Sequence, residues 1–438
     1  MNLIELVREA GVVGAGGAGF PTHVKLAARV DTVLANGAEC EPLLYSDQFV
    51  MESHAEEIVD GLRHAMGQTG ATRGLLCVKE KYHDAAARFE KLIAGEKGME
   101  LFLLGNFYPS GDEQVLVYET TGRIVPEAGL PLNVGVVVQN VATLANIARA
   151  AKGEAVTDKV ITVGGEIKTP GVHRVPLGAS LAAIIAGCGG PLVEDYAVLL
   201  NGPMMGRLAD PKQEVVTKTT AGLFILPKEN PHVSRLSRPL AADSRLSRGA
   251  CEQCRYCTYL CPRSLNGHAL EPHAIMRVIN EQREPEAATV LNAFLCCECG
   301  VCDLFACPIA LSPRRFFRDF KRSLSERGIR FTPEKKELTA DVYREARRVP
   351  KDKLTRRLAL SQYEIKPPYH GAPWDMPAVS LPLSMHLGAP ATPLVRAGDK
   401  VKRGQKIASI PEGKLGAAVH ASIAGTVTKV NGCIRIEK

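Results

Sequence analysis

Two short cysteine-rich runs constrain this chain more than any other feature. Cys251, Cys254, Cys257 and Cys261 are spaced C-x2-C-x2-C-x3-C and followed by Pro262, while Cys296, Cys299, Cys302 and Cys307 are spaced C-x2-C-x2-C-x4-C and followed by Pro308. Three thiolates in so short a span can wrap one corner of a compact iron–sulfur cube, with the fourth beyond a short turn and proline turning the chain away. In two-cluster ferredoxins the fourth cysteine of each run ligates the other cluster; in that arrangement Cys307 completes the first site and Cys261 the second. Structural zinc is the competing use of C-x-x-C, but a zinc ribbon takes two cysteines per knuckle and each run here holds four. The spacing therefore predicts two [4Fe–4S] clusters. Of the other cysteines, Cys297 fits no ligand spacing, and Cys40, Cys77, Cys188 and Cys433 are scattered as small buried or half-buried residues would be. A helix from about Pro272 to Phe294 is expected to lay Ile275, Val278, Ile279, Val290, Leu291 and Phe294 over the clusters and keep water off them.

With 45% hydrophobic and 23% charged residues among 438, the chain has material for two to four domains with ordinary cores. No apolar run has bilayer-crossing length, and the N-terminal MNLIELVREAG lacks the basic start, apolar middle and small-residue cleavage site of a secretory signal, so a cytoplasmic protein is expected. Such a compartment keeps thiols reduced, which argues against a disulfide framework. A net charge of +7 without basic, aromatic-rich repeats gives little support for nucleic acid; an acidic protein or a phosphate-bearing small molecule suits it better.

Near the N-terminus, GVVGAGGAGFPTHVKL contains G-x-G-x-x-G at Gly14, Gly16 and Gly19. A dinucleotide fold would place a hydrophobic strand before the first glycine and a helix at the last. Here Leu3, Leu6, Val7 and Ala10 recur at helical spacing before the loop, and Phe20-Pro21-Thr22 delays the next helix until Thr22 can cap HVKLAARV. The fingerprint lacks its context. On its own the loop suits either a surface turn or close backbone approach to a flat ring or a phosphate.

GAGGAGFPTHVKL, NGAECEP (36–42), YPSGDEQVLV (108–117) and QNVATLANI (139–147) follow one another in this order. Together they resemble the flavin and NADH site of the flavoprotein subunit of respiratory complex I and of its relative in the Rnf complex, the C subunit. The resemblance implies an FMN-binding α/β domain in which FMN is held non-covalently and NADH stacks upon it. It further implies that Gly14, Gly16, Gly17 and Gly19 line the cleft, with Lys25 near the flavin's polar edge or phosphate. Asn36, Glu39 and Glu41 would bond the ribityl chain or the nicotinamide side. Tyr108, Gly111, Asp112 and Glu113 would form the wall facing NADH, Asn140 and Thr143 would meet the FMN phosphate, and Phe20 would offer adenine a stacking surface. Complex I relatives carry an acid two positions after the asparagine, where this chain has Ala38.

From about Val156 to Arg207, short alternating strands with Gly-Gly and Pro-Gly turns resemble a soluble-ligand-binding β-grasp (SLBB) module, read either as a ligand site or as a spacer. Two basic stretches, SRLSRPLAADSRLSRGA and RRFFRDFKRSLSERGIR, are expected to be solvated faces, with docking of an acidic partner the alternative. KPPYHGAPWDMP reads as a linker, and the tail from about Val379 resembles a barrel-sandwich hybrid without the swinging lysine of biotinyl and lipoyl carriers.

The expected fold is therefore multidomain α/β and α+β. It comprises an FMN/NADH domain (1–152), an SLBB β-grasp domain (153–208), a linker (209–245), a two-[4Fe–4S] ferredoxin-like helical domain (246–330), a second linker (331–377) and an all-β barrel-sandwich hybrid (378–438). The Rnf relative has the barrel-sandwich module first, whereas here it comes last, an order similar to the cobalamin reductases of propanediol-utilisation microcompartments. That resemblance implies an oxidoreductase passing electrons from NADH through FMN and two clusters to cob(II)alamin, with no side chain acting as nucleophile or general base. It also implies a location inside a bacterial microcompartment, with a corrinoid adenosyltransferase or another acceptor protein and shell or cargo proteins as partners. An NADH diaphorase feeding ferredoxin, flavodoxin or a glycyl-radical activating system, and an electron-transfer component of a membrane complex, remain the alternatives. The amphipathic start, Met1 to Gly11, is expected to pack on its own domain rather than direct encapsulation.

Overall fold

The computed structural model describes residues 1–281, 286–333 and 337–438. Its first unit is an α/β layer built on a parallel sheet in the spatial order Met99–Leu104, Arg73–Lys79, Thr32–Gly37, Val136–Asn140. The two inner strands, RGLLCVK and TVLANG, and the edge strand VVVQN are buried almost throughout, as a parallel sheet covered on both faces requires. Helices Ala55–Thr69 and Val141–Ala151 cover one face; there Gly61 lets them touch, since a Cβ at this position would lie 2.0 Å from the Leu144 carbonyl oxygen. Helix Glu113–Thr121 supplies Leu116 and Val117 to the opposite face. Thr32–Gly37 lies between strands that lead away in opposite directions, which opens a crevice at the carboxyl ends of the strands.

The N-terminal helix Leu3–Glu9 is closed by a reciprocal capping box between Asn2 and Glu5 and buries Val7 in its own domain's core. The next helix, Thr22–Leu26, is shorter than expected, and Thr22 does not cap it: Pro21 stands at the N-cap position, and the Thr22 hydroxyl is buried without a partner.

The β-grasp unit is larger than its strand pattern suggests. Its six-stranded sheet runs Tyr369–Pro373, Gly171–Pro176, Asp158–Gly165, Gly222–Pro227, Tyr196–Leu200, Arg207–Ala209. Two of these strands come from the segments expected to be linkers. Gly222–Pro227 (GLFILP) is an interior strand, parallel to one neighbour and antiparallel to the other, because an apolar run of this length has to be buried. Tyr369–Pro373 adds to the sheet edge despite its proline, which an edge position tolerates. Elsewhere in the second expected linker, Val349–Pro350 pairs with Phe107–Tyr108 of the flavin unit.

In the cysteine-rich unit the expected long helix is interrupted. Pro272–Glu281 is followed, beyond residues 282–285, which lie outside the described residues, by Ala287–Leu291 and a 3-10 turn over Asn292–Leu295. Of the expected apolar roof, Ile275 and the half-buried Ile279 join the cluster beside Cys261, but Val278, Val290, Leu291 and Phe294 do not; Met276, Leu295, Phe316 and Phe317 fill it instead. The two basic stretches are helices with solvated outer faces, Arg245, Arg248, Arg318, Arg322, Arg327 and Arg330 being exposed, and with inner faces that meet. Arg238 of the first and Arg315 of the second both pair with the buried carboxylate of Asp243, and Arg314 is buried against Asp303.

The C-terminal unit stacks Ala378–Pro382, Cys433–Glu437, Gly425–Val430 and Lys400–Val401 against a second sheet of Thr392–Pro393, Lys406–Ser409 and Val419–His420. It docks on the first two units. The Leu387 amide donates to the Gly19 carbonyl (3.0 Å), Arg403 pairs with Asp158, and Lys406 pairs with Glu9.

Candidate functional site

The residues quoted from the four motifs converge at the crevice between Thr32–Gly37 and Val136–Asn140, where Asn36 and Asn140 stand side by side at the strand ends. Asn140 caps the following helix through the Ala142 amide (2.9 Å) and donates to Asp47 (2.6 Å). Thr143 accepts from the Ala15 amide (2.9 Å), which fixes the glycine loop over that helix's first turn. Lys25 crosses the crevice to Glu113 (2.6 Å) and to the Val138 carbonyl (3.1 Å), and Asn36 donates to the Gly111 carbonyl (2.9 Å).

The loop is shaped to admit a ligand. A Cβ at Gly16 would lie 2.7 Å from Asn140 Nδ2, whereas one at Gly17 would meet nothing within 4 Å, so open space begins beside the loop. Gly19 instead turns the chain at φ +71° against the C-terminal unit. Gly14 takes part in the loop's closure, its amide donating to the Phe20 carbonyl (2.9 Å), and Phe20 is half-buried. These features fit FMN: backbone donors, a cation and polar amides surround a space that side chains leave clear.

Four more of the expected ligand-facing side chains are engaged within the protein and turned away from the loop's open side. Glu39 accepts from the Ser46 hydroxyl (2.9 Å) and from the Asp47 and Gln48 amides (2.9 and 3.1 Å), acting as an anionic cap on Ser46–Ser53. Glu41 accepts from the Met204 and Met205 amides of the β-grasp unit (3.0 and 2.9 Å), and burial pushes its carboxyl up to about 7. Tyr108 is fully buried and donates its hydroxyl to the Cys299 carbonyl (2.7 Å). Asp112 caps Glu113–Thr121 and forms a two-pronged pair with Arg263 (2.6 and 2.9 Å); burial alone would raise its carboxyl, but that guanidinium holds it below the usual range.

Sequence reasoning missed the supports behind the loop. Lys159 of the β-grasp unit donates to the Ala15 carbonyl (2.7 Å), and burial lowers its ammonium to about 8 despite Asp47 and Glu39 nearby. Asp47, beneath Asn140, is raised to about 7 by burial and by the Glu39 charge. Neither residue stands in a recognisable motif. Both line a cleft of about 660 Å³, its open mouth included, between the flavin and β-grasp units.

The eight run cysteines fall into two groups that cross the runs. Cys257 has Cys307, Cys251 and Cys254 as its cysteine neighbours, whereas Cys261, Cys296, Cys299 and Cys302 line one void that Cys297, outside the ligand spacing, also lines. Backbone conformation repeats in both runs: the residues flanking the second cysteine are left-handed, Gln253 (φ 52°) and Arg255 (φ 68°) in one, Glu298 (φ 59°) and Gly300 (φ 81°) in the other. For non-glycine residues this costs roughly 1–2 kcal/mol each. It folds the chain back so that donors reach sulfur: the Glu298 amide to Cys296 (3.4 Å), Gln253 Nε2 to Cys251 (3.3 Å) and the Leu311 amide to Cys307 (3.3 Å). Among the described residues no three His, Cys, Asp or Glu side chains gather closely enough to hold a single metal ion. Thiolates around a void with N–H donors aimed at sulfur fit an iron–sulfur cluster, whose potential such donors tune. No cysteine is paired in a disulfide.

Comparison with known proteins agrees with this division. Family models match the Nuo51 FMN-binding domain at residues 7–149, the SLBB domain at 160–208, the 4Fe-4S dicluster domain at 250–312 and the RnfC barrel sandwich hybrid domain at 373–437. The chain is an oxidoreductase with an FMN domain and an iron–sulfur domain. It is 38% identical to the C component of the Na(+)-translocating ferredoxin:NAD(+) oxidoreductase complex of Acetobacterium woodii, over 59% of this chain and 57% of that one. It is 43% identical to cobalamin reductase PduS of Citrobacter freundii over 97% of this chain and 94% of that one, and 43% identical to PduS of Salmonella typhimurium over 98% and 94%. A match of this extent, spanning all four units in the same order, shows that the chain belongs to the cobalamin reductase PduS family.

Proposed function

We propose that this enzyme takes electrons from NADH on FMN and passes them singly, through two [4Fe–4S] clusters, to cob(II)alamin, yielding cob(I)alamin for re-adenosylation by a partner corrinoid adenosyltransferase inside a microcompartment. The observation that carries this reading is the joint between the flavin crevice and the second cysteine group, where Tyr108 reaches the Cys299 carbonyl and Asp112 clamps Arg263. When bound, FMN accepts a hydride's two electrons together and releases them one at a time, which matches one-electron clusters to a two-electron donor.

In this reading, the Asn140 helix start and Thr143 hold the flavin phosphate, Gly16 and Gly17 keep the loop open to the ring, and Lys25 and Asn36 orient its polar edge. Cys251, Cys254, Cys257 and Cys307 hold one cluster; Cys261, Cys296, Cys299 and Cys302 hold the other. The side chains position and tune the cofactors, and no catalytic acid or base is required. No helix among the described residues is long and apolar enough to cross a membrane.

The test is anaerobic purification with iron, sulfide and flavin analysis, followed by stopped-flow mixing with NADH and then with cob(II)alamin and a cob(I)alamin trap. Flavin bleaching followed by trapped cob(I)alamin is expected. Stoichiometric zinc, absence of flavin, or reduction of flavodoxin but never of cob(II)alamin would overturn the corresponding part.

A further inference from the structure

The two cysteine groups are not equivalent in their surroundings. Cys261, Cys299 and Cys302 are only 6–7% exposed. Their group faces the flavin unit: Tyr108 reaches the Cys299 carbonyl (2.7 Å), and Arg263, two residues after Cys261, is clamped by Asp112 (2.6 Å). The carbonyl of Gly111, between Tyr108 and Asp112, receives the Asn36 amide, so the segment that touches this cysteine group also walls the flavin crevice. The other group lies outward. Cys254 is exposed, and beside it Tyr256 and Tyr259 are 55% and 38% exposed.

We infer that the Cys261/Cys296/Cys299/Cys302 group is the flavin-side relay and the Cys251/Cys254/Cys257/Cys307 group the outlet, with Tyr108 and Arg263 as positioning residues that fix the relay against the crevice. The direction follows from tunnelling, which falls steeply with distance: the group in contact with the flavin wall fills first, and the one open to solvent delivers to an external acceptor. In balance, NADH becomes NAD+ by giving the flavin a hydride, that is two electrons and one proton, and the proton is released to solvent as the electrons leave. Each electron then crosses the relay and the outlet separately, and each reduces one Co(II) corrinoid by one unit. This direction rests on the function proposed above, whereas the inward and outward placement of the groups does not.

The test uses anaerobic holoenzyme and electron paramagnetic resonance. Gln253→Ala removes a hydrogen bond to Cys251 without touching a ligand, so the cluster whose midpoint potential it shifts is the outlet. A soluble gadolinium chelate, acting from solvent, should then speed the spin relaxation of that signal and not of the other; equal effects, or the reverse, overturn the assignment. Freeze-quenching after NADH should show the signal unmoved by Gln253→Ala rising first; the outlet rising first overturns the direction. In Tyr108→Phe the ratio of cluster filling to flavin bleaching should fall at least threefold, and an unchanged ratio removes the positioning role. If NADH bleaches no flavin, the function proposed above fails, yet the relaxation measurement on dithionite-reduced enzyme still ranks the two groups.

Discussion

Lys218 offers the sharpest test of how the units are held together. Its side chain is 2% exposed, and its ammonium donates to the Gly11 carbonyl of the flavin unit and the Ala418 carbonyl of the C-terminal unit, 2.7 Å each. Burial lowers its pKa from 10.5 to about 7. An amine with a lowered folded pKa binds fewer protons in the native than in the unfolded state between those two values, so stability rises with pH across that window. From pH 7 to 9 this is two units at about 1.36 kcal/mol each, or about 3 kcal/mol from this group. Burial also lowers Lys79 to about 7 and Lys159 to about 8, which adds slope of the same sign, so the quantity to read is the difference between wild type and Lys218→Met. The histidines facing Lys218 change little in this range, because burial keeps His386 and His420 neutral. The single tryptophan, Trp374, packs against His173 where the β-grasp unit leads into the C-terminal unit, so its fluorescence reports unfolding of this region in urea. Wild type should gain on Lys218→Met by about 3 kcal/mol between pH 7 and 9. Parallel curves for the two proteins would refute the idea of a buried amine satisfied by carbonyls alone.

Glu41→Gln should act in a separate window. A carboxyl raised to about 7 makes wild-type stability fall as pH rises from about 4.5 to 7, and the variant should lose that fall in the same urea assay. Asp112→Asn strips the counter-charge from buried Arg263 and should cost about 3–5 kcal/mol, read as a lower urea midpoint and faster proteolysis at the joint between flavin and cysteine units. Gly17→Ala adds a Cβ that meets no protein atom, so the apoprotein should be as stable as wild type or up to about 1 kcal/mol more so. FMN affinity, measured by fluorescence quenching, should nevertheless drop at least tenfold. Lys159→Met should weaken FMN binding several-fold in the same titration, by freeing the Ala15 carbonyl from its support.

What could be read in the sequence was whatever chemistry forces into short spacing. The cysteine runs, the glycine loop and the strand-end amides Asn36 and Asn140 announce themselves because each group of donors has to come from adjacent residues. The β-grasp boundary was not legible, because GLFILP (222–227) carries no partner in its own neighbourhood and joins the sheet only through strands it meets in space. The same holds for the basic stretches. Arg238 and Arg315 look like solvated charge until the buried Asp243 between them is seen, and Arg314 until Asp303 is. Glu39 and Glu41 show the converse: the motif pointed to ligand contacts, while the fold gives their oxygens backbone amides of a helix start and of a neighbouring unit.

Four of the buried charged residues share a role. Lys159 ties the β-grasp unit to the glycine loop, Lys218 ties three units together, Glu41 takes amides from the β-grasp turn, and Arg263 ties the cysteine unit to the flavin wall. Each buries a charge at a seam between units, where removing one partner is costly and an apolar substitute would let the seam slide. The electron route proposed above gives a reason to retain such contacts, because a transfer rate set by distance is lost through a small shift that stability alone would tolerate. On this argument the β-grasp unit need not bind a ligand to matter: its contribution is the lysine and the amides it presses against the flavin unit, and the cleft it shares with that unit is the space left beside this support.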